Sequence, residues 1–111
     1  MVSPSVRNRR VADERSIQSE ILLALGAKPS IYVERRNAGS FRGAGGMVRA
    51  GIAGVADILV IYDGRAIALE VKTPKGRLRP AQRVWRQAWE AAGGEYYIVR
   101  SAADALAAVF G

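Results

Sequence analysis

Asp63-Gly64 stands between two β-rich runs, "DILVIY" and "RAIALEVK", and constrains the fold more than any other dipeptide in the chain. Asp-Gly is a preferred pair for a two-residue type I′ turn, whose twist suits two antiparallel strands. A two-residue turn sets the register. Tyr62 then faces Arg65, Ile61 faces Ala66, and the same counting puts Asp57 opposite Glu70. Directly facing residues project to the same side of a sheet, with Cβ atoms about 5 Å apart. Lys72 shares that side because strand side chains alternate. Ile67, Leu69 and Val71 point the other way, towards a core. The sequence therefore predicts Asp57, Glu70 and Lys72 gathered at the open end of one hairpin.

Two ionised carboxylates facing each other repel. Such a pair persists when one group is protonated or when a cation lies between them. The 111-residue chain contains no cysteine and no histidine. That removes disulfides, thiolate chemistry, the commonest general base and the commonest zinc ligands. An all-oxygen site selects a hard divalent ion, Mg²⁺ or Mn²⁺. Such an ion polarises a phosphoryl oxygen and activates water. Lys72 is placed to orient that water or to stabilise charge developing on a phosphate. The balance of 17 basic to 10 acidic residues, a formal charge of +7, favours a polyanionic partner, nucleic acid above all. Lys75, Arg77, Arg79 and Arg83 give the cluster a basic flank. Together these parts describe a metal-dependent phosphodiesterase.

Each part taken singly has a plainer reading. Glu70 and Lys72 suit a surface ion pair worth about 0–1 kcal/mol. Asp57 suits a loop cap, and Gln82 an ordinary first-turn helix residue. Trp85 and Trp89 suit core or dimer contacts better than base-stacking platforms. Their coincidence in one register favours the site.

Around the hairpin the pattern is that of one small domain over residues 12–111, preceded by a basic arm, 1–11. The arm is either a phosphate contact or an ordinary flexible terminus. Residues 12–25 read as a helix buried through Ile17, Ile21 and Leu25, stopped by Gly26 and Pro29. "SIYVERR" reads as a strand, and the six glycines of residues 39–54 as a loop in which Arg42 and Arg49 approach a phosphate backbone or stay solvated. Pro80 opens a helix to about Ala92, with Ala81, Val84, Trp85, Ala88 and Ala92 as its expected buried stripe and Gln82 at the stripe's edge. "YYIVR" is a strand, and Ser101 with Asp104 caps a last helix over 102–110. The order is α-β-β-β-α-β-α, an α/β sandwich around a mixed sheet. No apolar run approaches a membrane span, and no apolar stretch follows the basic N-terminus as in a secretory signal. The expected setting is cytoplasmic.

The run "GVADILVIYDG", then "ALEVKTPKGRLRPAQ", a glycine-ended helix and "YYIVRSAADAL" resembles the PD-(D/E)xK nucleases, specifically the small stand-alone VRR-Nuc domains of phages and bacteria. The resemblance spans about Glu14 to Leu106. It implies a restriction-endonuclease-like three-layer α/β/α fold with a central mixed sheet. It implies a Mg²⁺- or Mn²⁺-dependent endodeoxyribonuclease acting on branched DNA such as Holliday junctions, as a homodimer. Asp57 and Glu70 would be metal ligands with the Val71 carbonyl, and Lys72 the catalytic lysine. Gln82 matches the helix glutamine of the family. Glu14 matches its first-helix acid, supported by Gln18 one turn on. Arg36 and Asn37 match a substrate-side segment. Lys75, Arg77, Arg79, Arg42 and Arg49 complete the expected DNA contacts. The proline of the signature is Ala56 here. A non-catalytic nucleic-acid-binding module and a structural subunit of the same fold are the alternatives.

Overall fold

The computed structural model describes residues 13–36, 40–43, 46–49 and 52–111, with side chains for 13–36 and 52–111. Helix α1 spans Glu14–Gly26. The strands are β1 (Ile31–Arg35), β2 (Ser40–Gly43), β3 (Gly46–Arg49), β4 (Ile58–Tyr62) and β5 (Arg65–Val71). Helix α2 (Pro80–Ala91), strand β6 (Glu95–Val99) and helix α3 (Ala102–Phe110) complete the order. The main sheet runs β1-β4-β5-β6. β4 is antiparallel to β1 and β5, while β6 is parallel to β5 across the α2 crossover. This is the expected mixed sheet.

The register matches the count from the turn. Tyr62 pairs with Arg65, Ile61 with Ala66 and Ile58 with Leu69. Asp63 and Gly64 adopt φ values of 52° and 73°, both in the left-handed region that a type I′ turn requires and that Asp and Gly tolerate best.

Alternation along β4 and β5 sorts the core into two clusters. Ile58, Val60, Ile67, Leu69 and Val71 face α1 and α3, where Ile17, Ile21, Leu25, Ala105 and Val109 meet them. Ala68 and Tyr96 face α2, with Leu59, Ile98, Trp85 and Trp89 packed around them. The layers are therefore α/β/α, helices α1 and α3 on one face and α2 on the other. Asp13 caps α1 by accepting from the Ser16 amide at 2.8 Å, and Ser101 caps α3 through the Asp104 amide at 3.0 Å. Each cap satisfies an N–H that the first helical turn leaves without a backbone partner.

Two expectations need correction. Residues 39–54 are not all loop, because β2 and β3 pair antiparallel there as a separate two-stranded sheet. Their glycine content hid the strands. The stripe expected on α2 is also rotated. Val84 is 68% exposed, and Ala81, Ala88 and Ala92 are exposed with it. The inward side is Gln82, Trp85, Arg86 and Trp89, a spacing of three, four and seven residues. The two indoles stack at 4.9 Å, and Arg86 lies over the Tyr96 ring at 4.9 Å. Large aromatic area outweighs four small apolar side chains in deciding which side is buried. Trp85 and Trp89 are thus sheet-covering residues, the core alternative.

Gly54 fixes how α2 begins. Its φ is +82°, and a Cβ there would stand 2.2 Å from the Ala81 carbonyl oxygen. Gly54→Ala combines a backbone clash with a conformation unfavourable to L side chains. It should cost about 2–3 kcal/mol of unfolding free energy in urea denaturation. An unchanged midpoint would show that the loop yields freely.

Candidate active site

The open end of the β4–β5 hairpin collects five side chains, from the start of β4, from β5 and its end, from α1 and from α2. Asp57 immediately precedes β4, and its Oδ2 accepts from the Val71 amide across the hairpin at 2.8 Å. The Arg36 amide donates to the Asp57 carbonyl at 2.7 Å, so both sides of the residue are held. Glu70, on β5, is 2% exposed, and Lys72, just beyond β5, is 3% exposed. The Lys72 Nζ lies 3.6 Å from Glu70 Oε2 and 3.9 Å from Glu14 Oε1 at the start of α1. The surface-pair reading of Glu70 and Lys72 therefore fails on burial.

Gln82 enters through the cap of α2. Its Oε1 accepts from the Arg79 backbone amide at 2.8 Å. An N–H can only donate, so the oxygen must face Arg79 and the amide nitrogen must face the sheet. That nitrogen donates to Glu70 Oε2 at 3.1 Å. One side chain thus starts the helix and anchors the buried carboxylate, and Pro80 at the first helical position fixes its height. Glu70 Oε2 is occupied in this way. Its Oε1 is buried without a partner among the described residues. Burial first, then the neighbouring Asp57 carboxylate, pushes the Glu70 carboxyl up to about 8, against a smaller opposing pull from Lys72.

Among the described residues, no three acidic side chains form a closed cage for a metal. The donor set nevertheless fits a small hard cation. Mg²⁺ is commonly held by one or two carboxylates, with waters and substrate phosphates completing its shell. Asp57 and Glu70 supply two carboxylates, and the buried orphan oxygen of Glu70 is a donor position that nothing among the described residues satisfies.

Lys75, Arg77 and Arg79 are all exposed on the loop joining Lys72 to α2, so the basic flank stands next to the cluster. Arg83 turns its Nη1 back to the Leu78 carbonyl at 2.8 Å and stiffens that loop. Arg36 is not directed at the cluster, since its Nη1 meets Glu34 Oε2 at 2.6 Å. Gln18 is half-buried one turn along α1 and is not drawn into the hydrogen-bonded cluster. Asn37 lies outside the described residues. Arg42 and Arg49 lie on β2 and β3, but their side chains are outside the described set. Residues 1–12, with the basic arm, are also outside it.

Two residues near the site gave no signal in the sequence. Tyr96 reads only as strand, yet it is 5% exposed. Its hydroxyl has no partner among the described residues, on the side of the sheet that carries Ala68 and Glu70. Burial, with the carboxylates of Glu70 and Asp57 nearby, drives its phenol upward. Arg100 reads as the end of a strand and proves to grip the loop after Lys72.

Set against solved structures, the chain matches one described as a "VRR_NUC domain", with a TM-score of 0.64 and 21% identity, covering 90% of this chain and 100% of that one. The chain has the VRR-Nuc fold. No family model matches the sequence, and no curated protein matches it. At this identity the likeness is one of architecture. It agrees with the restriction-endonuclease-like expectation of helices around a mixed sheet. In this VRR-Nuc fold the β4–β5 hairpin sets Asp57 against Glu70, and the α2 crossover delivers Gln82.

Proposed function

We propose that this chain is a Mg²⁺- or Mn²⁺-dependent DNA endonuclease, with Asp57, Glu70 and the Val71 carbonyl as the metal position and Lys72 as the catalytic lysine. The observation that carries the reading is Glu70. A carboxylate 2% exposed stands across the hairpin from Asp57 with one oxygen unpartnered among the described residues, an arrangement that costs stability unless a cation uses it. The fold shared with a solved VRR_NUC domain supports the same class of chemistry.

A divalent ion held there would supply Lewis-acid polarisation of the scissile phosphate and acidification of the attacking water. The chain's own residues supply the rest. Val71 N–H fixes one oxygen of Asp57 and leaves the other for coordination. Gln82 holds Glu70 Oε2 and thereby aims Oε1. Lys72 places a cation beside Glu70, where charge would develop on phosphate oxygens. Lys75, Arg77 and Arg79 hold the backbone of the substrate by charge, which is sequence-independent and salt-sensitive. Arg42, Arg49, Arg36 and Asn37 would extend that contact. Action on branched DNA as a homodimer is part of the proposal. It rests on the resemblance of the sequence to stand-alone VRR-Nuc domains. A two-fold pair would present two sites to two strands.

Incubating the chain with labelled duplex and four-way-junction DNA, in Mg²⁺ and in EDTA, tests this. Cleavage confined to the Mg²⁺ arm, with junctions cut faster, is expected. Salt-sensitive binding with no cutting of either DNA would favour the non-catalytic module instead.

A further inference from the structure

Arg100 follows β6 and sits half-buried. Its Nη1 donates to the Thr73 carbonyl and, at 3.2 Å, to the Gly76 carbonyl. Those two carbonyls bracket the turn Thr73-Pro74-Lys75-Gly76, closed by the Gly76 amide donating to Thr73 O at 2.9 Å. Arg100 is itself fixed, because its amide donates to Asp104 Oδ2 at 2.9 Å, within the cap of α3.

The far end of the turn touches Lys72. A Cβ placed on Gly76 would lie 3.3 Å from both Cβ and Cδ of Lys72, so the glycine backbone is packed against the lysine stem. The amine at the tip is 3.6 Å and 3.9 Å from its carboxylate partners. Those lengths are ion-pair contacts rather than short hydrogen bonds, and a lysine stem has several rotatable bonds. Charge alone therefore leaves the stem's rotamer open. The turn closes that choice by contact.

We infer that Arg100 is a positioning residue for Lys72: by gripping Thr73 and Gly76 it presses the turn against the lysine stem and sets where Nζ stands beside Glu70. One guanidinium nitrogen shared between two carbonyls gives charge-assisted bonds to both ends of the turn. A lysine at position 100 would keep the charge without the planar donor geometry.

The inference rests on the proposed nuclease reading for its kinetic arm only. The structural arm uses the three lysines of the chain, Lys28, Lys72 and Lys75. Reductive methylation followed by mass spectrometry reports how fast each amine is labelled. In the wild type Lys72, 3% exposed, should be labelled slowest. In Arg100→Ala its labelling should rise about 10-fold, with Lys28 unchanged and the melting transition still cooperative. Arg100→Lys should fall between the two, and millimolar guanidinium should slow Lys72 labelling in Arg100→Ala. In the nuclease assay kcat should drop about 10–100-fold with KM for DNA held.

Unchanged Lys72 labelling in folded Arg100→Ala overturns the inference. A raised KM with kcat unchanged overturns it too, because Arg100 would then be a phosphate contact. If Arg100→Ala does not fold, Arg100→Lys decides alone: about a threefold rise in Lys72 labelling supports the inference and no change overturns it. If the wild type cuts no DNA, the nuclease reading fails while the labelling result still stands.

Discussion

Glu70→Gln should reduce cleavage at least about 10³-fold and, in EDTA, remove a loss of stability that the wild type shows between about pH 5 and 8. Gln is nearly isosteric, so the packing under α2 is retained and the change is one of charge. The folded-state value of about 8 lies above the ordinary 4.5 of a glutamic acid. Between those values the folded chain keeps a proton that the unfolded chain has released. Stability therefore falls as pH rises through the window. The carboxyl shares its burden with Asp57 and Lys72, so the loss is on the order of 2 kcal/mol rather than the full shift. A divalent ion should restore stability in the wild type above about pH 7, by binding the native state alone, and should do so far less in the variant. Urea midpoints at several pH values, with EDTA and with Mg²⁺, check the first half; a gel assay checks the second. A wild type whose midpoint is flat across the window would contradict the account of Glu70.

Asp57→Ala should separate binding from cutting. The variant loses the proposed metal ligand and the acceptor of the Val71 amide, 2.8 Å away in the native chain. Cleavage should fall at least about 10³-fold, and the unfolding free energy by about 1–2 kcal/mol for the amide left without its partner. DNA affinity at fixed salt should stay within about threefold, because Lys75, Arg77 and Arg79 supply the backbone contacts and are untouched. Filter binding beside the cleavage assay reads both. Equal cutting by Asp57→Ala and wild type would remove Asp57 from the site, and with it the hairpin reading.

Much of this arrangement is legible in the amino acids because one dipeptide fixes a register. Asp63-Gly64 forces facing pairs all along β4 and β5, so the positions of Asp57, Glu70 and Lys72 follow by counting. Local chemistry also marks Pro80 and Ser101 as helix starts. What is not legible depends on contacts across the chain. The rotation of α2 follows from how the stacked pair of Trp85 and Trp89 packs against the cluster of Ala68 and Tyr96, which periodicity weighted towards Val84 and the alanines cannot show. The pairing of β2 with β3 is masked by glycines that lower strand propensity. The grip of Arg100 on Thr73 and Gly76 joins residues 27 and 24 positions apart, a distance at which no local pattern operates. Gln82 lies between these cases. Its place near the stripe is visible, but its dual bond to Arg79 and Glu70 needs the sheet beneath it.

The central claim is that Asp57 and Glu70 form a divalent-ion site. Titrating Mn²⁺ into the wild type and Glu70→Gln, and following the free-ion signal by electron paramagnetic resonance, tests it most directly. The account predicts saturable binding by the wild type that is lost in Glu70→Gln. Equal Mn²⁺ uptake by both chains, or none by the wild type with DNA present, would contradict it.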